Sequence, residues 1–404
     1  MRLKNWHSRA RGIVMAQAFL LLVTLVSCHS ENANTSNSEG SYKSTLVDSI
    51  IVSKDSGSIG ELAITDYDST KHTYLAYDWR KKEILEFSEK GKVIHNFSIT
   101  GEGPNDCGLD IAAICYLKKD SLAVIGTKGL FIYNLAGKQL FKVGRPGLYP
   151  NGLSYKLSVM GEYGKRNFLS NTIDLMTMNG GEVEKQSTYT TAKNLLLINP
   201  QDKKFIRTAP FERGSIYLNK EVYFPSGLSS YCVDPAKKEV YVIYLFDPNI
   251  YHYKWELDTL KFLNKIAFQP IGYSQPKGVP YEKRINSLDN IKNQITNTQI
   301  QDVFCTNHNL FVESTKNLEV DKINEMKSLI EINAFIGSHP SFQLSLHVIS
   351  KDGSEKEYDS IFPSNVGYIQ YIHDTKKVLA QHFNLESEEK PNRTTILIYD
   401  ITRK

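Results

Sequence analysis

The feature that most constrains the fold is a sequence unit that occurs twice between residues 84 and 153. The matched segments are 84–87 with 130–133, 91–92 with 137–138, and 101–105 with 147–151, all 46 residues apart. Each copy has an apolar strand, a Gly-Lys turn and a loop that begins with Gly and ends in Pro-Asn. A repeat period of this length is typical of β-propellers, in which each unit forms one blade.

From residue 44 onward, short apolar segments alternate with turn signals and can be grouped into six units of three or four strands. The units span residues 61–98, 111–143, 154–208, 230–268, 300–358 and 368–399. The last unit is one strand short, and the strand at 46–52 belongs to no unit. A terminal strand that completes the last blade removes its exposed edge. We therefore predict an all-β fold, a six-bladed β-propeller whose last blade is closed by the N-terminal strand.

One stretch, 317–336, departs from the strand pattern. Ile323, Met326 and Ile330 have helical spacing, with Ile332 or Ala334 available to the same face. This spacing predicts an inserted helix in the fifth unit, and a long edge strand with a charged turn is the alternative.

The net charge limits the class of partner. The chain has 48 Lys and Arg against 44 Asp and Glu, but four of the basic residues lie in the first 27 positions, which contain no acid. The remainder is electrically neutral, which removes the main electrostatic argument for binding nucleic acid.

The N-terminus has the pattern of an export signal. A basic segment is followed by an apolar run of about 15 residues, which is shorter than the roughly 20 that a membrane-spanning helix needs. The run ends in Leu25-Val26-Ser27-Cys28, which resembles the bacterial lipobox. We predict a lipoprotein signal peptide over 1–27 and lipid attachment at Cys28; an ordinary secretory signal is the alternative.

Residues 28–43 are polar, rich in Ser and Asn, and predict a flexible tether to a propeller domain over 44–404. His29 rather than Asp follows Cys28, which favours the outer membrane over the inner one. The expected location is the cell envelope, as an outer-membrane lipoprotein facing either the periplasm or the cell surface.

Four further cysteines lie in the body of the chain: Cys107, Cys115, Cys232 and Cys305. Their spacing contains no CxxC motif, so zinc binding is not predicted. An exported chain meets an oxidising compartment, where these four allow three disulfide pairings or serve as small apolar core residues.

The lipobox, the six units and Gly101-Glu102-Gly103-Pro104 together resemble the six-bladed propeller lipoproteins of Bacteroidetes, closest to a family of unknown function. This resemblance implies the architecture and the location, and it brings no activity. In such propellers the glycine motif often continues Gly-Glu, whereas here it continues Asn105-Asp106, so no role of that Glu is carried over.

No motif for catalysis, a cofactor or a metal is present. The ten histidines form no HxH or HExxH pair, and there is no GxSxG or DxDxDG sequence. We therefore predict no catalytic residues, no cofactor and no bound metal.

Ligands of propellers usually meet the face formed by two sets of connections, those between blades and those between the second and third strands of a blade. Trp79 and Arg80 lie on such a connection, where an exposed Trp beside an Arg can stack on a sugar or a peptide side chain. The full set of ligand-binding candidates is Trp79, Arg80, Glu102, Asn105, Asp106, Arg145, Tyr149 and Asn151. Turn chemistry alone also accounts for polar residues at these positions.

The sequence thus predicts a non-catalytic binding or scaffolding module in the cell envelope, with a glycan, a peptide or an envelope protein as its partner. The alternative is a lactonase-like or glycan-cleaving propeller enzyme with a site in the central channel. Whether the chain is an enzyme is left open by the sequence.

Overall fold

The computed structural model describes residues 41–54, 57–118, 120–144, 156–161, 167–171, 187–219, 221, 229–256, 258–280, 288–328, 330–332, 335, 342–351, 357–363, 366–382 and 393–401. Within these ranges the strands form six small sheets arranged as a six-bladed β-propeller. The predicted all-β class and the number of blades are confirmed.

In blades 1 to 4 the strands are antiparallel and follow one another outward in chain order, and blades 5 and 6 differ only in an added N-terminal strand at the outer edge. Blade 1 consists of β3 (Leu62–Asp68), β4 (Thr73–Asp78), β5 (Glu83–Ser88) and β6 (Val93–Phe97). Blade 2 consists of β7 (Ile111–Lys118), β8 (Ser121–Gly126), β9 (Gly129–Asn134) and β10 (Gln139–Gly144). Blade 3 consists of β11 (Leu157–Met160), β12 (Asn167–Asn171), β13 (Lys193–Asn199) and β14 (Lys204–Pro210).

The remaining blades follow the same plan. Blade 4 consists of β15 (Ser229–Asp234), β16 (Glu239–Tyr244), β17 (Asp247–Glu256) and β18 (Thr259–Ala267). Blade 5 consists of β19 (Gln299–Cys305), β20 (Asn309–Asn317), β21 (Phe342–Ser350) and β22 (Tyr358–Ile361). Blade 6 consists of β23 (Val366–Ile372), β24 (Lys377–His382) and β25 (Arg393–Asp400), completed by β2 (Thr45–Ser53) from the start of the body. The first strand of each blade lies innermost, beside the first strands of the neighbouring blades.

The N-terminal segment joins two blades. Strand β2 pairs antiparallel with β25 and closes blade 6, as predicted. Just before it, β1 (Ser41–Lys43) pairs parallel with β22 and adds a fifth strand to blade 5. The backbone N–H and the hydroxyl of Ser44 donate to the carbonyl of Ile361 at 3.1 and 2.8 Å. Residues 41–43 were predicted to belong to the tether, but their pairing with β22 makes them part of the propeller.

The turns of the repeated unit are the same in both copies. Gly91 and Gly137 have φ angles of +80° and +75°, which glycine adopts without steric cost. The N–H of each donates to the carbonyl three residues earlier, at 2.8 and 3.0 Å. The repeated Gly-Lys pair is thus explained by hairpin geometry.

Alternation along the strands divides the core into layers between blades. Leu122 and Val124 of β8 pack against blade 1, whereas the intervening Ala123 and Ile125 pack against blade 3. This follows from the two-residue period of a strand, which directs successive side chains to opposite faces of the sheet. Among the described residues every pair of neighbouring blades shares such a cluster.

The ring closes between blades 6 and 1 in the same way. Ile50 and Val52 of the N-terminal strand pack with Tyr74 and Phe87 of blade 1. Gln370 of β23 adds hydrogen bonds to the first strand of blade 1: its amide oxygen accepts from Ile64 N–H, and its amide nitrogen donates to the Leu62 carbonyl, both at 3.0 Å.

Helices in the described residues lie only in connections between strands. They include the α-helices Ser187–Thr191, Leu288–Thr296 and Val320–Glu325 and the short 3₁₀ helix Ile216–Leu218, and residues 330–332 are helical as well. The helix predicted within 317–336 is confirmed over Val320–Glu325, with Ile323 buried against Ile295 of the preceding helix. Ile330 does not share that buried face and is 81% exposed.

Candidate functional site

The connection after β4 and the connection between blades 1 and 2 lie on the same face of the propeller, which we call the upper face. The first holds Trp79 and Arg80, and the second, residues 98–110, holds Glu102, Asn105 and Asp106. Both lie at the same end of blade 1 because antiparallel strands of one sheet place alternate connections at the same end.

Asp78, at the end of β4, fixes the turn that carries Trp79 and Arg80. Its side chain is fully buried, and its carboxylate accepts the N–H groups of Gly60 at 2.6 Å, Arg80 at 3.1 Å and Lys81 at 3.0 Å. A Cβ at Gly60 would lie 2.5 Å from this carboxylate, so only glycine fits there. An aspartate that binds backbone N–H groups two and three residues later is a common turn former. Sequence reasoning did not single out Asp78, although its place between a buried strand and a polar turn is such a signal.

Trp79 and Arg80 differ in exposure. The Trp79 ring is half-buried, meets Tyr77 edge to face at 4.8 Å between ring centroids, and packs on the core between blades 1 and 2. Arg80 is exposed. The tryptophan therefore anchors the turn, and the arginine is the more accessible of the two.

Asp106 organises the glycine-rich loop. Its carboxylate accepts the Gly103 N–H at 2.8 Å, and a Cβ at Gly101 or Gly103 would lie 2.4 or 2.9 Å from it. A side chain at either position would therefore displace this carboxylate. Glu102 and Asn105, by contrast, are exposed.

Two residues of blade 2 donate hydrogen bonds to the backbone of the same loop. The Lys128 ammonium donates to the carbonyls of Gly101 and Gly103 at 3.2 and 3.3 Å, and the Tyr133 hydroxyl donates to the carbonyl of Asn105 at 2.7 Å. The loop backbone is thus fixed, and it presents its exposed side chains on a rigid support.

Lys82 joins the turn to the loop. Its ammonium contacts the Asp110 carboxylate at 2.7 Å and the Leu109 carbonyl at 2.9 Å, and its own carbonyl accepts from the Ser98 hydroxyl at 3.0 Å. The two connections therefore make one surface. We call it the blade 1 surface and define it as Trp79, Arg80, Glu102, Asn105, Asp106 and Leu109.

The other predicted residues, Arg145, Tyr149 and Asn151, lie outside the described residues, as does Cys28. The structure thus brings together five of the eight ligand-binding candidates. Leu109, which is 57% exposed, is a member of the surface that sequence reasoning missed.

A second group of polar residues lies around the central axis. Lys156, at the start of blade 3, reaches blade 5, where its ammonium binds the Asp302 carboxylate and donates to the Val303 carbonyl at 2.8 Å. The same carboxylate oxygen accepts from the Ser230 hydroxyl of blade 4. Three blades are thereby joined through one carboxylate.

Glu313 is the register partner of Asp302 on β20 and is 2% exposed. Burial raises the pKa of Glu313 well above its usual range, and the Asp302 carboxylate raises it further. The N–H of Ile369, 3.4 Å away, and the Lys156 cation oppose this shift. The axis therefore holds a buried carboxyl group of raised pKa beside a carboxylate that binds a lysine. Sequence reasoning could not find this group because its members come from different blades.

Burial also raises the pKa of Glu61, which precedes β3 on the upper face; the Arg80 cation opposes the shift and the Asp78 carboxylate adds to it. Among the described residues, no group of three His, Cys, Asp or Glu side chains is placed to hold a metal ion. In the same residues, no helix has the length and apolar character needed to cross a membrane.

Known proteins match this chain in structure but not in sequence. No family model matches the sequence, and no curated protein matches it. A member of the DUF4221 family from Bacteroides vulgatus is similar in structure, with a TM-score of 0.62 and 11% sequence identity, over 89% of this chain and 98% of that protein. A Bacteroides fragilis protein, named as an inferred exported protein, has a TM-score of 0.52 and 13% identity, over 90% of this chain and 99% of its own. At these identities the likeness establishes the six-bladed propeller fold alone.

Proposed function

We propose that this chain is an exported, lipid-anchored binding module of the cell envelope, and that the blade 1 surface is its ligand-binding surface. The observation that carries this proposal is the support beneath that surface. Arg80, Glu102 and Asn105 are exposed, while buried Asp78 and the side chains of Asp106, Lys128 and Tyr133 fix the backbone that carries them. Binding to a preorganised surface costs less conformational entropy than binding to mobile loops.

The chemistry of the surface fits a polar, uncharged or zwitterionic ligand. A cation at Arg80, an anion at Glu102 and an amide at Asn105 can donate to and accept from hydroxyl or peptide groups, and Leu109 offers an apolar contact. These groups are those that recognise a glycan or a peptide. The balanced charge of the body gives no support to nucleic acid as a partner.

The binding test is a panel of immobilised oligosaccharides and peptides probed with the full chain in detergent micelles. We expect binding to one chemical class, reduced at least tenfold in the double variant Arg80→Ala/Glu102→Ala. The matched control is Lys138→Ala/Asp202→Ala, which removes one cation and one anion from exposed hairpins of the opposite face and should bind as wild type. Equal binding by both double variants, or binding to no member of the panel, would refute the proposal.

The anchor is tested separately through Cys28. We expect the wild type to fractionate with the outer membrane and to carry acyl chains on an N-terminal cysteine. Cys28→Ala should leave the protein in the soluble envelope fraction without added acyl mass. Unchanged fractionation of this variant would contradict lipid anchoring while leaving the binding surface untouched.

The pair Asp302 and Glu313 favours a second candidate, a propeller hydrolase. A carboxyl group of raised pKa beside a carboxylate is an arrangement used in general acid–base catalysis. If the chain hydrolyses a lactone or a glycoside, Glu313→Gln should lower the rate at least 100-fold while the thermal stability is retained. No turnover by the wild type of either substrate class would exclude this candidate.

A further inference from the structure

The four cysteines of the described residues are present as thiols, and they lie in different layers of the core. Cys107 packs between blades 1 and 2, and Cys115 packs between blades 2 and 3. Cys232 and Cys305 share the layer between blades 4 and 5. Of the pairings that the sequence allows, the structure therefore places only one pair in a common cluster.

The strands of these two cysteines are neighbours at the propeller axis. Cys232 lies on β15 and Cys305 ends β19, the innermost strands of adjacent blades. The Cys305 sulfur lies 3.0 Å from the carbonyl oxygen of Val233, the residue after Cys232. The two cysteines therefore lie on adjacent inner strands and within one apolar cluster.

We propose that Cys232 and Cys305 are an oxidisable pair that forms a disulfide between blades 4 and 5, with Cys305 as the attacking thiolate. The oxidation of this pair inside the cell rests on the export proposed above. The exchange reaction itself rests only on the geometry of the two thiols.

Exposure assigns the two roles. Cys305 is partly exposed at the end of its strand, whereas Cys232 is 8% exposed, so Cys305 is the more accessible of the two. Attack requires access and a thiolate, and the second thiol needs only to reach the first. Cys305 is therefore the residue that meets the oxidant, and Cys232 is the residue that resolves the intermediate.

The charges around the pair agree with this assignment. The hydrogen bond from Cys232 lowers the pKa of Cys305; burial and Asp234 oppose that shift, and the cations of Lys351 and Lys156 assist it. Burial raises the pKa of Cys232. Lys351 is held nearby by Asp234, at 2.7 Å between ammonium and carboxylate.

The reaction is a balanced thiol–disulfide exchange. The Cys305 thiolate attacks a sulfur of an external disulfide, forms a mixed disulfide and releases one thiolate. The Cys232 thiol then loses its proton, attacks the Cys305 sulfur and releases the second thiolate. The two cysteines are oxidised, and the external disulfide, from a thiol oxidoreductase or a small-molecule disulfide, is reduced to two thiols.

The test uses the full chain in detergent micelles, reduced, freed of reductant and then exposed to oxidised glutathione. After remaining thiols are alkylated, peptide mapping should show a Cys232–Cys305 cross-link, with Cys107 and Cys115 alkylated. The melting temperature should be higher for the oxidised than for the reduced protein, because the bond closes a long loop of the unfolded chain. No cross-link after prolonged exposure would overturn the pairing, and this measurement needs no variant.

Two variants test the order of attack. Cys232→Ser should accumulate a glutathione adduct on Cys305, and Cys305→Ser should form an adduct on Cys232 at least ten times more slowly. Equal rates would refute Cys305 as the attacking thiolate. Cys107→Ser is the control and should cross-link as wild type does.

Mapping of acid-quenched cells separates this proposal from the export proposal. A cross-link in cells supports both. A cross-link that forms with glutathione but is absent in cells would support the pairing and count against export.

Discussion

At the scale of single residues, two aspartates account for the shape of the blade 1 surface. Asp78 is fully buried and accepts three backbone N–H groups, and Asp106 accepts one within the glycine-rich loop. Charge-assisted hydrogen bonds of this kind are stronger than neutral ones. The residues that shape the surface are thus distinct from the exposed residues that a ligand would touch.

Asp78→Ala should destabilise the protein by about 2–4 kcal/mol, because three N–H groups would lose a charged acceptor. The free energy of unfolding from urea titration measures this loss. Asp110→Ala is the control, since that carboxylate is 56% exposed and pairs with an exposed lysine; its effect should stay below about 1 kcal/mol. Equal losses in the two variants would refute the role assigned to Asp78.

Asp66, on the innermost strand of blade 1, should make the free energy of unfolding depend on pH. Burial raises the pKa of Asp66 to about 6, against the opposing N–H groups of Tyr116 and Tyr67. The unfolded carboxyl group loses its proton near pH 4, so between pH 4 and pH 6 the folded state holds more protons. The free energy of unfolding should therefore fall as the pH rises through this window, by about 2 kcal/mol for this group.

Urea titrations of wild type and Asp66→Asn at pH 4 and pH 7 measure this dependence. The variant has no carboxyl proton to lose at this position, so the part of the fall in unfolding free energy that is due to Asp66 should be absent. Asp120→Asn, at a carboxylate that is 87% exposed, should retain it. If Asp66→Asn shows the same decrease as wild type, the raised pKa of Asp66 is wrong.

At the scale of strands and helices, short sequence patterns predicted the elements that depend on neighbouring residues alone, such as hairpin turns. Gly91 and Gly137 marked the hairpins because a positive φ angle favours glycine at one position of the turn. The helix Leu288–Thr296 was missed, although Leu288, Ile291 and Ile295 have helical spacing. The apolar pattern is short and lies among polar residues. Ile323, which packs against this helix, comes from another connection. Strand β1 was missed because its three residues are polar and it is held by backbone pairing with β22.

The closing strand β2 offers a matched pair of isoleucines. Ile50 is 4% exposed and packs between blades 6 and 1, whereas Ile51 is 49% exposed on the outer side. Ile50→Ala should cost about 2–4 kcal/mol through the lost burial and the cavity left behind. Ile51→Ala should change the free energy of unfolding by about 0.5 kcal/mol or less.

Thermal and urea unfolding of both variants would measure the contribution of β2 to ring closure. Equal destabilisation by the two substitutions would mean that β2 does not sit in blade 6 with the orientation described here. A strong loss for Ile50→Ala alone would place the N-terminal strand within the cooperative unit of the propeller.

At the scale of the whole molecule, the fold could be predicted because the strands of each blade are close together in the sequence. The side-chain contacts at the central axis could not be predicted. Lys156 and Asp302 are 146 residues apart, and only the closed ring brings them together. The same holds for Cys232 and Cys305, whose contact needs two adjacent blades. The sequence places residues on blades, but their convergence across blades depends on the rotation of one blade relative to the next.

The contact between Lys156 and Asp302 should contribute to the stability of the whole ring because it joins blade 3 to blade 5 beside the axis. The two side chains are 24% and 23% exposed, so their charges are only partly screened by water. Lys156→Met would leave the Asp302 carboxylate without its cation, and Asp302→Asn would leave the ammonium without its anion. Each single variant should therefore lose about 1–3 kcal/mol of unfolding free energy, and the double variant should lose less than the sum.

A double-mutant cycle by urea unfolding measures this coupling, which we expect to be at least about 1 kcal/mol. Lys82 and Asp110 give the matched control, since they form the same type of pair at 2.7 Å but are 47% and 56% exposed. Their coupling should fall within about 0.2–1 kcal/mol and weaken in high salt, because both charges are solvated. Additive losses at Lys156 and Asp302 would show that the axial pair contributes no more than a surface contact, and that the ring is held by the apolar layers between its blades.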